Sequence, residues 1–279
     1  MTQWSPHYSP VQGAAAAAAL VASRVAGRLL GPLAPELRPL DIDDAYRVQD
    51  LAHGLLRSAG YGRIGGWKIG CTTAVMQEYL SIDGPVAGAM LRSSMWHGRH
   101  RFVVSPPRVL GVECEIAVRV GHHMDRRDQP YDVEEAAQAV SVAMAAIEVV
   151  EDRYEEHLSM DVPTLVADDF YHHASVVGDE YEGMDPRLLR NVTSSMSING
   201  ERVGSGQGSD ILGDPLVALA WLASTLAQRD TPLLAGDVVS LGSLVKTHWV
   251  GAGDEVVVSN DVLGEVRASF VHSSCTPRE

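Results

Sequence analysis

The chain has 279 residues, 46% of them hydrophobic, enough for one large packed domain or one domain with a helical appendage. Its 36 acidic against 22 basic residues give a formal charge of −14, which argues against nucleic acid and anionic membranes as main partners. Cys71, Cys114 and Cys275 are odd in number and form no Cys-x-x-Cys pair. Neither a disulfide framework nor a structural zinc site is therefore expected, and a reducing cytoplasm is the simpler setting.

Residues 1–12, with Pro6 and Pro10, read as a loose arm. Ala14 to about Leu30 reads as a helix by alanine propensity, stopped at Gly31-Pro32. Its Ala14–Ala22 part has the apolar look of a signal-peptide core. No Lys or Arg precedes it, and Arg24 and Arg28 continue the segment, so it is not read as one. No apolar stretch is long enough to span a bilayer. After an irregular, proline-rich stretch over 32–41, Asp41 or Asp43 is placed to cap a second helix. That helix runs to about Ser58, with Gly60 ending it, and Ala45, Val48, Leu51, Ala52, Leu55 and Leu56 recur at helical spacing. The division is an N-terminal arm and helical region over 1–62 and a strand-rich body over 63–279.

The body opens on Gly65-Gly66-Trp67-Lys68-Ile69-Gly70. Glycines permit close backbone approach, and a lysine fixed among them is either a binding or proton-transfer group or a strand-end lysine in solvent. Ala74 to about Tyr79 reads as a helical turn, followed by the turn Ile82-Asp83-Gly84-Pro85 and an extended segment over Ala87–Leu91.

Val109–Val120 reads as one strand. Alternation puts Leu110, Val112, Cys114, Ile116, Val118 and Val120 on an apolar face and Gly111, Glu113, Glu115 and Ala117 on the other. Two carboxylates about 7 Å apart then point the same way. They are either a solvated strand face or half of a site for a hard divalent cation, which prefers carboxylate oxygens. Asp132–Glu134 cap a helix with apolar Ala136, Ala137, Val140, Val142 and Ala143. It runs into the β-rich stretch Ile147–Val150, which sets Glu148 among apolar residues. An ionised carboxylate there needs a partner, so Glu148 is either a third cation ligand or an edge residue.

The neighbouring His172 and His173 point to opposite sides of a strand and are not read as sharing an ion. Asn199-Gly200, after a strand around Val192–Ile198, signals a type I′ hairpin. The run Gly204–Gly208 lacks the Walker lysine and spacing. Asp214-Pro215 opens a helix of about Leu216–Gln228, and the last fifty residues read as short strands: Asp237–Leu241, Trp249-Val250, Glu255–Ser259 and Gly264–Val271.

The segments around Lys68, Asp83-Gly84-Pro85, Glu113-Cys114-Glu115, Ile147–Arg153, Gly208–Ala223 and Ala235–Ser243 stand in one order. Together they resemble the 2-keto-4-pentenoate hydratase and 2-oxo-3-hexenedioate (4-oxalocrotonate) decarboxylase branch of the fumarylacetoacetate hydrolase superfamily, from about Asp43 to about Val271. The resemblance implies an α+β fold. A helical N-terminal region precedes a mixed, strongly curved β-structure, so that 63–279 is the fumarylacetoacetate hydrolase-like catalytic domain. It implies Mg²⁺ or Mn²⁺ on Glu113, Glu115 and Glu148, with Lys68 and Asp83 as catalytic residues and Asp168 and Ser243 as substrate contacts. It also implies a homo-oligomer and a small 2-oxo acid substrate, and relatives of both activities associate with one another. Departures fall at Val86, at Asp168-Asp169-Phe170-Tyr171, where relatives often read Asp-Asn-Ala-Ser, and at Asp214, where they often have His.

The implied function is hydration of 2-hydroxypenta-2,4-dienoate to 4-hydroxy-2-oxopentanoate in the meta-cleavage catabolism of aromatic compounds. The alternative is 2-oxo-3-hexenedioate decarboxylase, or a related C–C hydrolase acting on 2-oxo acids. The decarboxylase needs a cation for the second carboxylate, and the sequence points to none. A non-catalytic partner role is disfavoured by the intact lysine and carboxylate set.

Overall fold

The computed structural model describes residues 4–155 and 160–272, so Cys275 lies outside the described residues. Two helices open the chain: α1 (Pro10–Ala26) and α2 (Ile42–Leu56). The expected loose arm is shorter than its prolines suggest. Ser9 and Gln12 form a capping box, Pro10 takes the first helical turn, and Tyr8 is buried with its hydroxyl donating to the Leu37 carbonyl. At the other end Gly27, at φ 63°, closes α1 four residues before the expected stop. Asp41 caps α2 by accepting from the Asp44 amide.

Next come β1 (Ile64–Gly70), α3 (Ala74–Leu80), β2 (Val86–Leu91), β3 (Met95–His97), β4 (Arg99–Val104) and β5 (Val109–Val120). They are followed by α4 (Val133–Ala139), β6 (Val140–Asp152), α5 (Val162–Ala167), β7 (His172–Val177) and β8 (Tyr181–Glu182). The chain finishes with β9 (Thr193–Ile198), β10 (Glu201–Gln207), α6 (Pro215–Gln228), β11 (Val238–Val250), β12 (Glu255–Asn260) and β13 (Gly264–His272). Asn199 and Gly200 both take positive φ between β9 and β10, as a type I′ turn requires.

Among the described residues, one mixed sheet runs β2-β1-β11-β5-β6-β7-β3, with β8 beside β6. It is strongly curled. The second sheet runs β10-β9-β12-β13-β4, and its β12 and β13 pack on β6. The N-terminal helices lie against the body through α2 on α5, while α6 covers β11 and α4.

Two expectations fail at strands. The helix expected through Ala143 stops at Ala139, because Val140 onward pairs with β5. A run of Ala and Val satisfies either period, and ladder pairing decides it. The separate pieces Asp237–Leu241 and Trp249-Val250 are one strand, β11, whose register to β5 shifts three times between Ser240 and His248. Such bulges break the alternation that a sequence displays. The second face of β5, read as either solvated or half of a cation site, is largely buried: Glu115 is 1% exposed and Ala117 is fully covered.

Candidate active site

Register brings the acidic residues together. Glu113 on β5 lies directly opposite Glu148 on β6, and Glu115 lies one pleat away on the same face of β5. On the other side of β5, Ser243 of β11 is paired with Glu115, and Ser240 of β11 is paired with Lys68 of β1. One carboxylate oxygen each of Glu113, Glu115 and Glu148 lies within 4.8 Å of the others.

Each carboxylate is held separately. Glu115 Oε2 accepts from the Gly242 amide at 2.7 Å and from the Ser240 hydroxyl at 3.1 Å. Gly242 is required there. Its φ is +132°, and a Cβ would stand 2.4 Å from Thr72 Oγ1. Glu113 accepts a short hydrogen bond from the Thr247 hydroxyl. Glu148 Oε1 lies 2.9 Å from His172 Nδ1 and 3.5 Å from Lys68 Nζ. Lys68 is 3% exposed, and its ammonium also donates to the Phe170 carbonyl at 2.7 Å.

The electrostatics are unbalanced. Burial, with the Glu148 charge beside it, raises the Glu113 carboxyl. Burial and the charges of Glu148 and Glu113 raise Glu115 well above the usual range. For Glu148 burial also opposes ionisation, but Lys68 and His172 outweigh it and hold the carboxyl low. Two buried carboxylates, Glu115 and Glu148, and the half-buried Glu113 thus face one ammonium. Their donors are hard oxygens with no sulfur or imidazole among them, so the set fits a divalent cation of the Mg²⁺, Mn²⁺ or Ca²⁺ kind.

Lys68, Glu113 and Ser243 line a cavity of about 710 Å³, whose walls include Val150, Leu165, Phe170 and Tyr171. Its mouth carries exposed Tyr79, Lys246 and Trp249. Cys71 also lines it, with its thiol pushed up to about 11 by burial and therefore protonated at neutral pH. The chain contains two lysines, Lys68 and Lys246, and both border this cavity.

Two expected site residues lie elsewhere. Asp83 is exposed in the turn before β2 and does not border the cavity. Asp168 is buried away from the cavity wall. Its oxygens are taken by Arg24 Nη2 at 2.6 Å, the Tyr154 hydroxyl at 3.0 Å and Arg153 Nε at 3.3 Å, so it anchors the fold. Sequence reasoning set His172 aside as a ligand and missed it as the support of Glu148. It also missed Thr247, Gly242 and Lys246. The partners of Thr247 and Gly242 are up to 134 residues away and are set by strand register, which leaves no local signal.

Residues 86–271 match the fumarylacetoacetate (FAA) hydrolase C-terminal family. The 2-keto-4-pentenoate hydratase 1 of Dechloromonas aromatica (strain RCB) is 34% identical over 239 residues, covering 85% of this chain and 89% of that one. The 2-keto-4-pentenoate hydratase of Paraburkholderia xenovorans (strain LB400) is 32% identical over 234 residues, covering 83% and 84%. Among solved structures, 4-oxalocrotonate decarboxylase from Pseudomonas putida G7, complexed with magnesium and adipate, superposes with a TM-score of 0.86. The match spans 96% of this chain and 100% of that one at 23% identity, a likeness of fold.

Proposed function

The chain belongs to the fumarylacetoacetate hydrolase C-terminal family, and on that premise we propose that it is a divalent-metal-dependent hydro-lyase. It adds water to 2-hydroxypenta-2,4-dienoate, the enol form of 2-keto-4-pentenoate, and gives 4-hydroxy-2-oxopentanoate. The observation that carries this reading is the convergence of Glu113, Glu115 and Glu148 beside Lys68, with Glu113 and Lys68 on the wall of one cavity. The two hydratases matched over more than four fifths of the chain support the choice of reaction.

Glu113, Glu115 and Glu148 would hold Mg²⁺ or Mn²⁺. Such a cation supplies a Lewis acid that offsets negative charge growing at the oxygens of a bound 2-oxo acid. The chain's own residues do the rest. Lys68, steadied by Phe170 and Glu148, directs its remaining N–H toward the cavity. There it binds an anionic substrate oxygen or gives and recovers a proton at Nζ. His172 keeps Glu148 aimed, Thr247 keeps Glu113, and the Gly242 amide keeps Glu115. Phe170, Val150 and Leu165 offer an apolar wall to the diene and exclude water from it. The setting of this reaction is cytoplasmic breakdown of aromatic meta-cleavage products, and the working form is a homo-oligomer that associates with another enzyme of the same pathway.

One observation favours a second reading. Lys246 borders the mouth of the cavity, and among the described residues it has no ion-pair partner. It is a cation placed for a second carboxylate, which the decarboxylation of 2-oxo-3-hexenedioate requires. Product analysis with both substrates and Mg²⁺ or Mn²⁺ decides between them. The expected result is 4-hydroxy-2-oxopentanoate from the pentadienoate and no CO₂ from the hexenedioate. The reverse result assigns the decarboxylase, and turnover of neither removes both readings.

A further inference from the structure

We propose that Asp169 is the positioning residue for Lys68. With Arg24 and His53 from the N-terminal helices, it fixes a left-handed turn whose Phe170 carbonyl sets where the lysine ammonium sits. The proposal rests on the reading of Lys68 as catalytic.

Three consecutive non-glycine residues, Asp169, Phe170 and Tyr171, take φ of 59°, 46° and 64°. Side-chain-bearing residues seldom adopt this region even singly, and such a turn persists only where its surroundings over-determine it. The surroundings here converge on one buried carboxylate, that of Asp169, which is 2% exposed. Its Oδ2 accepts from Arg24 Nη1 of α1 at 3.0 Å. Its Oδ1 lies 2.7 Å from His53 Nε2 of α2 and accepts from the Ala89 amide of β2 at 3.0 Å. Burial opposes the Asp169 charge, but His53 and Arg24 outweigh it and keep the carboxyl ionised well below its usual range. An ionised carboxylate only accepts, so His53 Nε2 donates. Arg24 reaches the neighbouring Asp168 carbonyl as well, at 2.8 Å. β2 passes so close that a Cβ on Gly88 would stand 2.7 Å from the Asp169 carbonyl oxygen.

The output of this turn faces the site. The Phe170 carbonyl accepts from Lys68 Nζ at 2.7 Å, and the ammonium stands 5.0 Å from the Phe170 ring centroid. The Tyr171 carbonyl accepts from the Glu151 amide at 2.8 Å, tying the far end of the turn to β6. Asp169 itself neither borders the cavity nor touches the three glutamates. With its charge removed, the turn loses its anchor, the Phe170 carbonyl leaves Lys68, and the ammonium is left to Glu148 alone. The N-terminal helices are thereby part of the catalytic unit, although they contribute no group to the cavity wall just described.

The test is a set of double-variant cycles. Asp169→Asn and Arg24→Met are made alone and in combination with Lys68→Met, and kcat is measured with whichever of the two substrates the parent protein turns over. Each is expected to lower kcat at least about tenfold alone and less than about twofold in the Lys68→Met background, because a residue acting only through Lys68 has nothing left to act on. Arg24→Lys is expected to recover part of the Arg24→Met loss. Losses that multiply in full overturn the proposal and leave the lysine's own role standing. An undiminished kcat in Lys68→Met removes the role and the proposal together. A second readout needs no turnover. The chain has two lysines, so exposed Lys246 is an internal reference for acetylation of buried Lys68 by acetic anhydride, read by mass spectrometry. The Lys68-to-Lys246 ratio is expected to rise at least about fivefold in Asp169→Asn, as an anchor is lost and the side chain opens locally. An unchanged ratio overturns the proposal, and this readout decides it where neither substrate reacts. If Asp169→Asn does not fold, Arg24→Met and His53→Gln carry both comparisons from the outer side of the same carboxylate.

Discussion

Lys68 and Glu148 are each tolerable in the interior because of the other. They are 3% and 1% exposed, and an unpaired charge at that depth is costly. The pair differs from a structural ion pair in being shared: Lys68 also serves Phe170, and Glu148 also meets His172. Lys68→Met keeps the length and the apolar stem while removing the charge. Turnover is expected to fall at least about 10²-fold with metal affinity retained, the range for removal of one preorganised contact to developing charge. Near-parental turnover, or a variant that does not fold, removes the catalytic assignment. Glu148→Gln keeps shape and removes a ligand. Mn²⁺ affinity by calorimetry is expected to drop sharply with the fold intact, and unchanged affinity moves the third ligand elsewhere. His172→Ala takes away only the support of Glu148, for which a loss of about 10–100-fold in Mn²⁺ affinity is expected.

At the scale of elements, the site is a product of register across four neighbouring strands. β6 leaves α4 without a loop, so Glu148 reaches its place opposite Glu113 only if Val140 begins the ladder. On the other flank, β11 turns inward at a bulge, and its Gly242 amide reaches Glu115 in a backbone conformation that side-chain-bearing residues rarely adopt. Gly242→Ala places a methyl against Thr72 and strains that bend. A stability loss of about 1–3 kcal/mol is expected, together with weaker Mn²⁺ binding. Denaturant unfolding and calorimetry measure the two effects, and loss of stability with unchanged Mn²⁺ binding would show that the bulge does not position Glu115.

At the scale of the molecule, the interior carries charge that must be paired or bound. A ligand that binds only the folded state stabilises it by mass action. EDTA-treated protein is expected to be inactive, to regain activity with Mg²⁺ or Mn²⁺, and to gain in Tm as either is added. Full activity in metal-free protein, or a requirement for zinc, counts against the three-carboxylate site. Glu151 shows the opposite kind of buried acid. Burial works against its charge, but His173, Arg153 and Arg108 outweigh that and hold the carboxyl at about 2. A folded value below the unfolded one of about 4.3 gives stability that is complete above about pH 4.3 and lost as the pH falls toward 2. Parental protein is therefore expected to lose stability over that window. Glu151→Gln is expected to cost about 3 kcal/mol at neutral pH and to flatten the acid limb. An unchanged acid limb in a urea series across pH would remove Glu151 from that account.

The sequence by itself determined β5, whose period-two run matches the observed strand end for end, the opening of α6 at Asp214-Pro215 and the hairpin at Asn199-Gly200, and it narrowed the caps of α2 and α4 to Asp41 or Asp43 and to Asp132–Glu134, where the structure has Asp41 and Asp132. These depend on neighbours within a few residues, where steric and hydrogen-bond preferences act without help from the fold. It also placed Lys68, Glu113, Glu115, Glu148 and Ser243 as candidates, through ordered motifs. What only the tertiary structure decided is which of the candidates meet. It brought Lys68, Glu113 and Ser243 to one cavity with Glu115 and Glu148 beside them, left Asp83 in solvent and turned Asp168 into an anchor for Arg24. It fused two expected strands into the bulged β11 and anchored Asp169–Tyr171 in a left-handed turn through Arg24 and His53 of the N-terminal helices. Ladder pairing and buried ion pairs between residues more than a hundred positions apart supply those decisions, and their energies appear only when the sheet has closed.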